Sequence, residues 1–135
     1  MAKKVLFVCI ENAGRSQMAE AFANLRGKGK IEASSAGTMP SNRIHYVVVK
    51  AMLEKEIDIS KSKPKLLTTK MLQDADTVIV MGCDAKGFCP APLLKKVVNW
   101  ELENPKDKSI EKVRQIRDEI EKQVLKLLSD LENWN

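Results

Sequence analysis

The stretch Lys4-Val5-Leu6-Phe7-Val8-Cys9-Ile10-Glu11-Asn12-Ala13-Gly14-Arg15-Ser16 decides the fold. It opens with a short β-rich apolar run, Lys4 to Val8, of the kind buried on both faces of a parallel sheet. Small residues, Ala13 and Gly14, follow in a loop. Beyond Ser16, Met18, Ala21, Phe22 and Leu25 recur every three to four positions, the spacing of an amphipathic helix. A strand that passes through a tight loop into a helix opens an α/β unit, and ligands of such sheets gather beyond the carboxyl ends of the strands. Cys9 stands at that end.

The rest of the chain repeats the alternation. Thr77 to Met81 reads as a second buried strand, Lys96 to Trp100 as a third, and Ile31 to Ser35 as a weaker fourth. The β-branched run from Ile44 to Val49 favours a strand by propensity. Ile44, Val48 and Ala51 nevertheless share a helical face, which Met52, Leu53 and Ile57 extend, and the segment is read as helix. From Ser109, a suitable N-cap, the series Ile110, Val113, Ile116, Ile120, Val124, Leu127 and Leu131 specifies a long helix whose apolar face should cover the sheet. Residues 61–65 and 104–108 are polar loops. The expected architecture is α/β, one domain over residues 1–135, with a parallel sheet and right-handed crossovers.

Composition excludes several classes of function. The chain has 135 residues, 44% of them hydrophobic, which is enough for one packed core. Its N-terminal apolar run meets Glu11 too soon for a signal sequence or a membrane span, so a cytoplasmic protein with no membrane partner is expected. The net charge of +5 comes from 23 basic and 18 acidic residues mixed along the chain, without the aromatic interleaving of a nucleic-acid surface. No nucleic acid is expected as a partner. A mild positive field favours an anionic substrate or an acidic protein. Three cysteines, an odd number without an export signal, read as working thiols rather than a disulfide scaffold.

The loop from Cys9 to Ser16 carries the chemistry. Backbone N–H groups from Ile10, Glu11, Asn12, Ala13, Gly14, Arg15 and Ser16, together with a helix N-terminus, form a concave site for an oxyanion. The fork of Arg15 can grip two of its oxygens. The same groups stabilise a thiolate at Cys9, the nucleophilic form of the residue. Ser16 is placed to donate a hydrogen bond to that sulfur, and Asn12 to lock the loop by side-chain contacts to its backbone. Glu11 fits least well, because a carboxylate beside an anion site repels the ligand unless it points outward.

The segment Val8-Cys9-Ile10-Glu11-Asn12-Ala13-Gly14-Arg15-Ser16-Gln17-Met18-Ala19-Glu20-Ala21-Phe22 resembles the low-molecular-weight tyrosine phosphatase fold family, and within it the thioredoxin-coupled arsenate reductases. The phosphatases usually have proline in place of Gln17. Ser35-Ala36-Gly37-Thr38, Ile57-Asp58-Ile59-Ser60 with Pro64-Lys65, and Trp100 with Pro105 extend the likeness over nearly the whole chain. The resemblance implies a three-layer fold with a four-stranded parallel sheet in the order 2-1-3-4 and a phosphate-binding loop after the first strand. It also implies a relay in which Cys9 forms an arsenic adduct, Cys83 attacks it to release arsenite, and Cys89 completes a disulfide that thioredoxin reduces. No tightly bound cofactor and a monomeric protein are expected.

Phosphate and arsenate share shape and charge, so three readings stay open: arsenate reductase, aryl phosphate phosphatase, and a non-catalytic oxyanion-binding or redox-sensing protein. Cys83 and Cys89 favour the first, although five residues lie between them, one fewer than in the best-known relatives. The candidate acid loop, Trp100-Glu101-Leu102-Glu103-Asn104-Pro105, disfavours the second, since it carries an amide at Asn104 where the family has an aspartate. Loss of general acid catalysis typically costs about 10²–10⁴-fold. Glu103 substitutes for it if the loop turns that side chain inward. The resemblance also points to a potassium site at Asn12, Glu20 and Ser35, against which a simple brace of the loop is an equal alternative. Cys9, Cys83, Cys89 and His45 lack the close-spaced pair of a zinc site, and no metal is expected.

Overall fold

Side chains of the first strand, β1 (Lys3–Cys9), alternate between two cores. In the computed structural model, which describes residues 2–81 and 97–131, the elements that follow are α1 (Arg15–Arg26), β2 (Ile31–Gly37), α2 (Tyr46–Leu53), α3 (Thr69–Asp74), β3 (Thr77–Met81), β4 (Val97–Trp100) and α4 (Ile110–Leu131). The strands form one parallel sheet in the order β2-β1-β3-β4, flanked by helices. The fold class and strand order are those expected.

Val5, Phe7 and Cys9 face the larger core, where α1, α2 and α4 pack; Leu6 and Val8 face a smaller one beneath α3. The central strands are apolar throughout because both of their faces are covered. Phe7 meets Trp100 of β4 with ring centroids 5.7 Å apart, and Phe22 and Met18 of α1 are wholly buried beside them. Each such side chain contributes about 1.5–3 kcal/mol by leaving water. The dry face of α4 is the one expected, with Val113, Ile116, Ile120, Val124, Leu127 and Leu131 buried, and Ser109 Oγ accepts from Lys112 N as its N-cap.

Three local expectations change. Leu25 and Leu53 are half exposed, because each lies at the margin of its helix's apolar face. Ile57 lies outside α2, which stops at Leu53; Glu56 then takes a left-handed backbone, φ 63°, and the Ile57 N–H turns back to Met52 O. The ambiguous run is helical from Tyr46, since burying Val48, Ala51 and Met52 on one face outweighs β-propensity. α3, absent from the sequence reading, spans six residues, too few to show a period, and is started by Thr68, whose Oγ1 accepts from Met71 N. No helix among the described residues is long and apolar enough to cross a membrane.

An ion cluster clamps α2 to α4. Glu54, just past α2, accepts from Arg114 Nε and Nη2 and from Arg117 Nη1, and the same Arg117 nitrogen donates to Ala51 O at 2.8 Å. Bonding from Arg114, reinforced by Arg117 and opposed by burial, lowers the Glu54 carboxyl from its ordinary value to about 2. A carboxyl lowered on folding contributes stability above its unfolded value, and that contribution fades as pH falls through the folded one. Glu54→Gln is therefore expected to lower the melting temperature at neutral pH, with the gap from wild type closing between about pH 4.5 and about pH 2. Thermal melts across that range read it directly.

Candidate active site

The end of β1 delivers Cys9 to a loop that β2 and α1 hold from either side. Thr38 N bonds Cys9 O, Met39 N bonds Ile10 O, Ser41 N bonds Glu11 O and His45 N bonds Ala13 O, so the chain after β2 supports the loop's outward carbonyls. Gly37 must be glycine here: a Cβ would lie 2.5 Å from Ile10 O and 2.9 Å from Asn12 N. α1 begins at Arg15 behind Gly14, which offers no side-chain cap, leaving the first-turn N–H groups to other partners.

Cys9 Sγ accepts from Asn12 N at 3.2 Å and lies 2.8 Å from Ser16 Oγ. The direction of the second bond follows from its neighbours. Asn12 Oδ1 accepts from the backbone N–H of Lys65 at 2.9 Å, which fixes the carboxamide and turns Nδ2 toward Ser16 Oγ (2.7 Å) and Ser35 Oγ (3.0 Å). Ser16 Oγ thus accepts from Asn12, and when Cys9 attacks as a thiolate, which cannot donate, the Ser16 proton is the one shared with Cys9 Sγ. Ser35 in turn donates to Glu20 Oε1 at 2.7 Å. Two hydrogen-bond chains leave Asn12, one ending on the sulfur and the other on the Glu20 carboxylate.

Arg15 is 5% exposed, and its Nη1 donates to Leu102 O at 3.0 Å. Burial pulls its guanidinium down from the ordinary value, while the charges of Cys9 and Glu11 pull it back up. The cavity between them, about 50 Å³, is lined by Cys9, Ile10, Glu11, Ala13, Gly14 and Arg15, with Asn104 from the segment after β4. It combines a thiol, a buried cation and backbone N–H groups beyond the carboxyl ends of the strands, a set suited to binding a small oxyanion and presenting sulfur to it.

A sequence model of the low molecular weight phosphotyrosine protein phosphatases matches residues 4–134. The chain belongs to that family. A glutaredoxin arsenate reductase from Synechocystis is 36% identical over 131 residues, covering 96% of this chain and 98% of that one. An arsenate reductase solved in a phosphate-binding state superposes with a TM-score of 0.85 at 35% identity, over 96% of this chain and 98% of that one. A thioredoxin-dependent arsenate reductase from Corynebacterium glutamicum superposes with a TM-score of 0.80 at 32% identity; it covers 99% of this chain, which spans 63% of that longer protein.

The residues singled out from the sequence fall into three groups. Cys9, Asn12, Arg15 and Ser16 meet in the loop, but the Asn12 side chain bonds the side chains of Ser16 and Ser35 and the backbone of Lys65 rather than the loop's own backbone. The Glu11 carboxylate is held by partners at the rim of the cavity: its Oε1 accepts from Ser41 Oγ at 2.8 Å and faces His45 Nε2 at 3.7 Å, and its Oε2 lies 3.4 Å from Lys106 Nζ. Burial pushes its carboxyl up, yet Ser41 and Lys106 bring it below the ordinary value overall. Glu103 is not among the residues that line the cavity. It turns outward to Lys112 and Lys108, at 3.1 and 3.5 Å, whose bonding keeps its carboxyl below the ordinary value and hence ionised. Cys83 and Cys89 lie outside the described residues.

The residues at which the resemblance would put potassium bond one another, and Lys65 Nζ lies 3.8 Å from Glu20 Oε1, so positive charge already stands beside that carboxylate. Gln17, read only as a mark of the reductase branch, proves to be a strut: buried, it donates from Nε2 to Asn12 O, Asn12 Oδ1 and Lys63 O. Its helical position two residues after Arg15 was the one signal for that role. Ser16→Ala removes the 2.8 Å hydrogen bond at the Cys9 sulfur, an interaction worth about tenfold or more. Alkylation of Cys9 by iodoacetamide at neutral pH, followed on the Cys9 peptide by mass spectrometry, is expected to slow by that factor; an unchanged rate would contradict the assigned direction of the bond.

Proposed function

We propose that the protein reduces arsenate to arsenite with Cys9 as nucleophile. The observation that carries this reading is the content of the cavity: a thiol, Arg15 and N–H donors surround it, and the residue that reaches it from the acid loop is the amide Asn104. An aryl phosphatase needs a protonated acid there for its leaving alcohol. Arsenate loses only a hydroxyl and depends less on such an acid. The arsenate reductases among its relatives support the same reading.

The chemistry then runs as follows. Cys9 sulfur attacks arsenic and displaces an oxygen as water, forming an As–S bond while arsenic stays pentavalent. The Cys83 thiolate attacks Cys9 sulfur; the As–S bonding pair goes to arsenic, which is reduced from As(V) to As(III) and leaves as arsenite, while the two sulfurs are oxidised to a Cys9–Cys83 disulfide. Cys89 attacks Cys83 sulfur, forming the Cys83–Cys89 disulfide and freeing Cys9. An external thiol reductant closes the cycle. Relatives named for glutaredoxin and for thioredoxin support that class of partner, and we assign thioredoxin.

Aryl phosphate hydrolysis is the second reading, favoured by the family's oxyanion loop. One assay separates the two. With arsenate, thioredoxin, thioredoxin reductase and NADPH, wild type is expected to consume NADPH in an arsenate-dependent way, and both Cys9→Ser and Cys83→Ser to fall to background. A Cys83→Ser variant that keeps its rate contradicts the relay. Turnover of an aryl phosphate that needs Cys9 but survives Cys83→Ser and Cys89→Ser would favour the phosphatase.

A further inference from the structure

The segment at 101–109 roofs the anion cavity and is fastened to the loop at three points. Arg15 Nη1 holds Leu102 O at 3.0 Å. Pro105, buried, sits where a Cβ of Gly14 would stand, 2.7 Å from that position. Lys106 Nζ reaches Glu11 Oε2 at 3.4 Å. Between these points Asn104 faces the cavity, its Oδ1 accepting from Lys106 N at 3.0 Å in a tight turn. Glu11 is the hub, because its other oxygen is held by Ser41 and faces His45 in the connection before α2. One carboxylate joins the loop, that connection and the roof.

The small cavity of about 50 Å³ suits a single small anion. A pocket for a drug-sized ligand typically offers roughly 300–1,000 Å³. Among the described residues no aromatic side chain lines it. A free oxyanion fits under the roof, whereas an ester must carry its organic group past Pro105 and the ionised Glu11. We propose that the Glu11–Lys106 ion pair is a specificity latch, which holds the roof down so that the site takes free inorganic oxyanions and turns away aryl phosphate esters. The latch rests on the reading of the cavity as an oxyanion site and sharpens it to a substrate class.

Protection of Cys9 from alkylation, read on the Cys9 peptide by mass spectrometry with inorganic phosphate or phenyl phosphate as probe, tests the latch without any turnover. Wild type should prefer inorganic phosphate. In Lys106→Ala the preference should narrow roughly fivefold, the reach of one exposed ion pair, and Glu11→Gln with Lys106→Ala should narrow it no further because both remove the same contact. Lys106→Arg, which keeps the pair, should retain the wild-type preference. Equal protection of wild type by the two probes, or a preference unmoved in Lys106→Ala, overturns the latch and leaves the oxyanion site standing. Failure of inorganic phosphate to protect at all overturns the oxyanion reading and the latch with it.

Discussion

Asn12 stands in the left-handed region at φ 53°, a conformation that costs a side-chain-bearing residue roughly 1–3 kcal/mol unless its surroundings hold it. They hold it at every polar atom of the residue. The backbone N–H goes to Cys9 Sγ, and the carbonyl accepts from Gln17. The side-chain oxygen accepts from Lys65 N and Gln17, while the side-chain nitrogen serves Ser16 and Ser35. A residue so fully satisfied and wholly buried turns the chain after Cys9 sharply enough for Arg15 to open α1 close behind. It also accounts for glycine at position 37, since the backbone at the end of β2 lies against Ile10 and Asn12 with no room for a Cβ.

That single turn distributes charge across the site. The Cys9 sulfur is met by Ser16 and the Asn12 N–H, with Arg15 buried nearby. The carboxylates near the site are matched in turn: Glu20 by Ser35 and Lys65, and Glu11 by Ser41, Lys106 and His45. A carboxylate two residues after Cys9 is tolerable on these terms, because its charge is met by partners on the rim of the cavity. The roof segment then combines two features that disfavour ester hydrolysis, an amide at Asn104 and a Glu103 committed to lysines.

The parts of this arrangement that were legible in the sequence are those written in neighbouring residues. The apolar run before Cys9, the small residues after it and the three-to-four spacing beyond Ser16 specify strand, loop and helix locally, and the cysteine and arginine that matter lie within that span. The long period of α4 and its Ser109 cap were equally plain. What stayed hidden depends on residues far apart in the chain: Lys65 N on Asn12, Leu102 O on Arg15, Pro105 on Gly14 and Lys106 on Glu11. Two of these use backbone atoms, which no residue type announces. Glu11 looked misplaced for the same reason, its partners being thirty and more positions away. α3 was missed because six residues cannot display a helical period.

If the held turn at Asn12 is what creates the anion site, phosphate affinity must depend on it. Calorimetric titration of inorganic phosphate into wild type and Asn12→Ala, with far-ultraviolet circular dichroism as a check on the fold, measures this directly. One phosphate site is expected in the wild type, with affinity about tenfold or more weaker in the variant while the secondary structure stays intact. Equal affinity in the two proteins would contradict it.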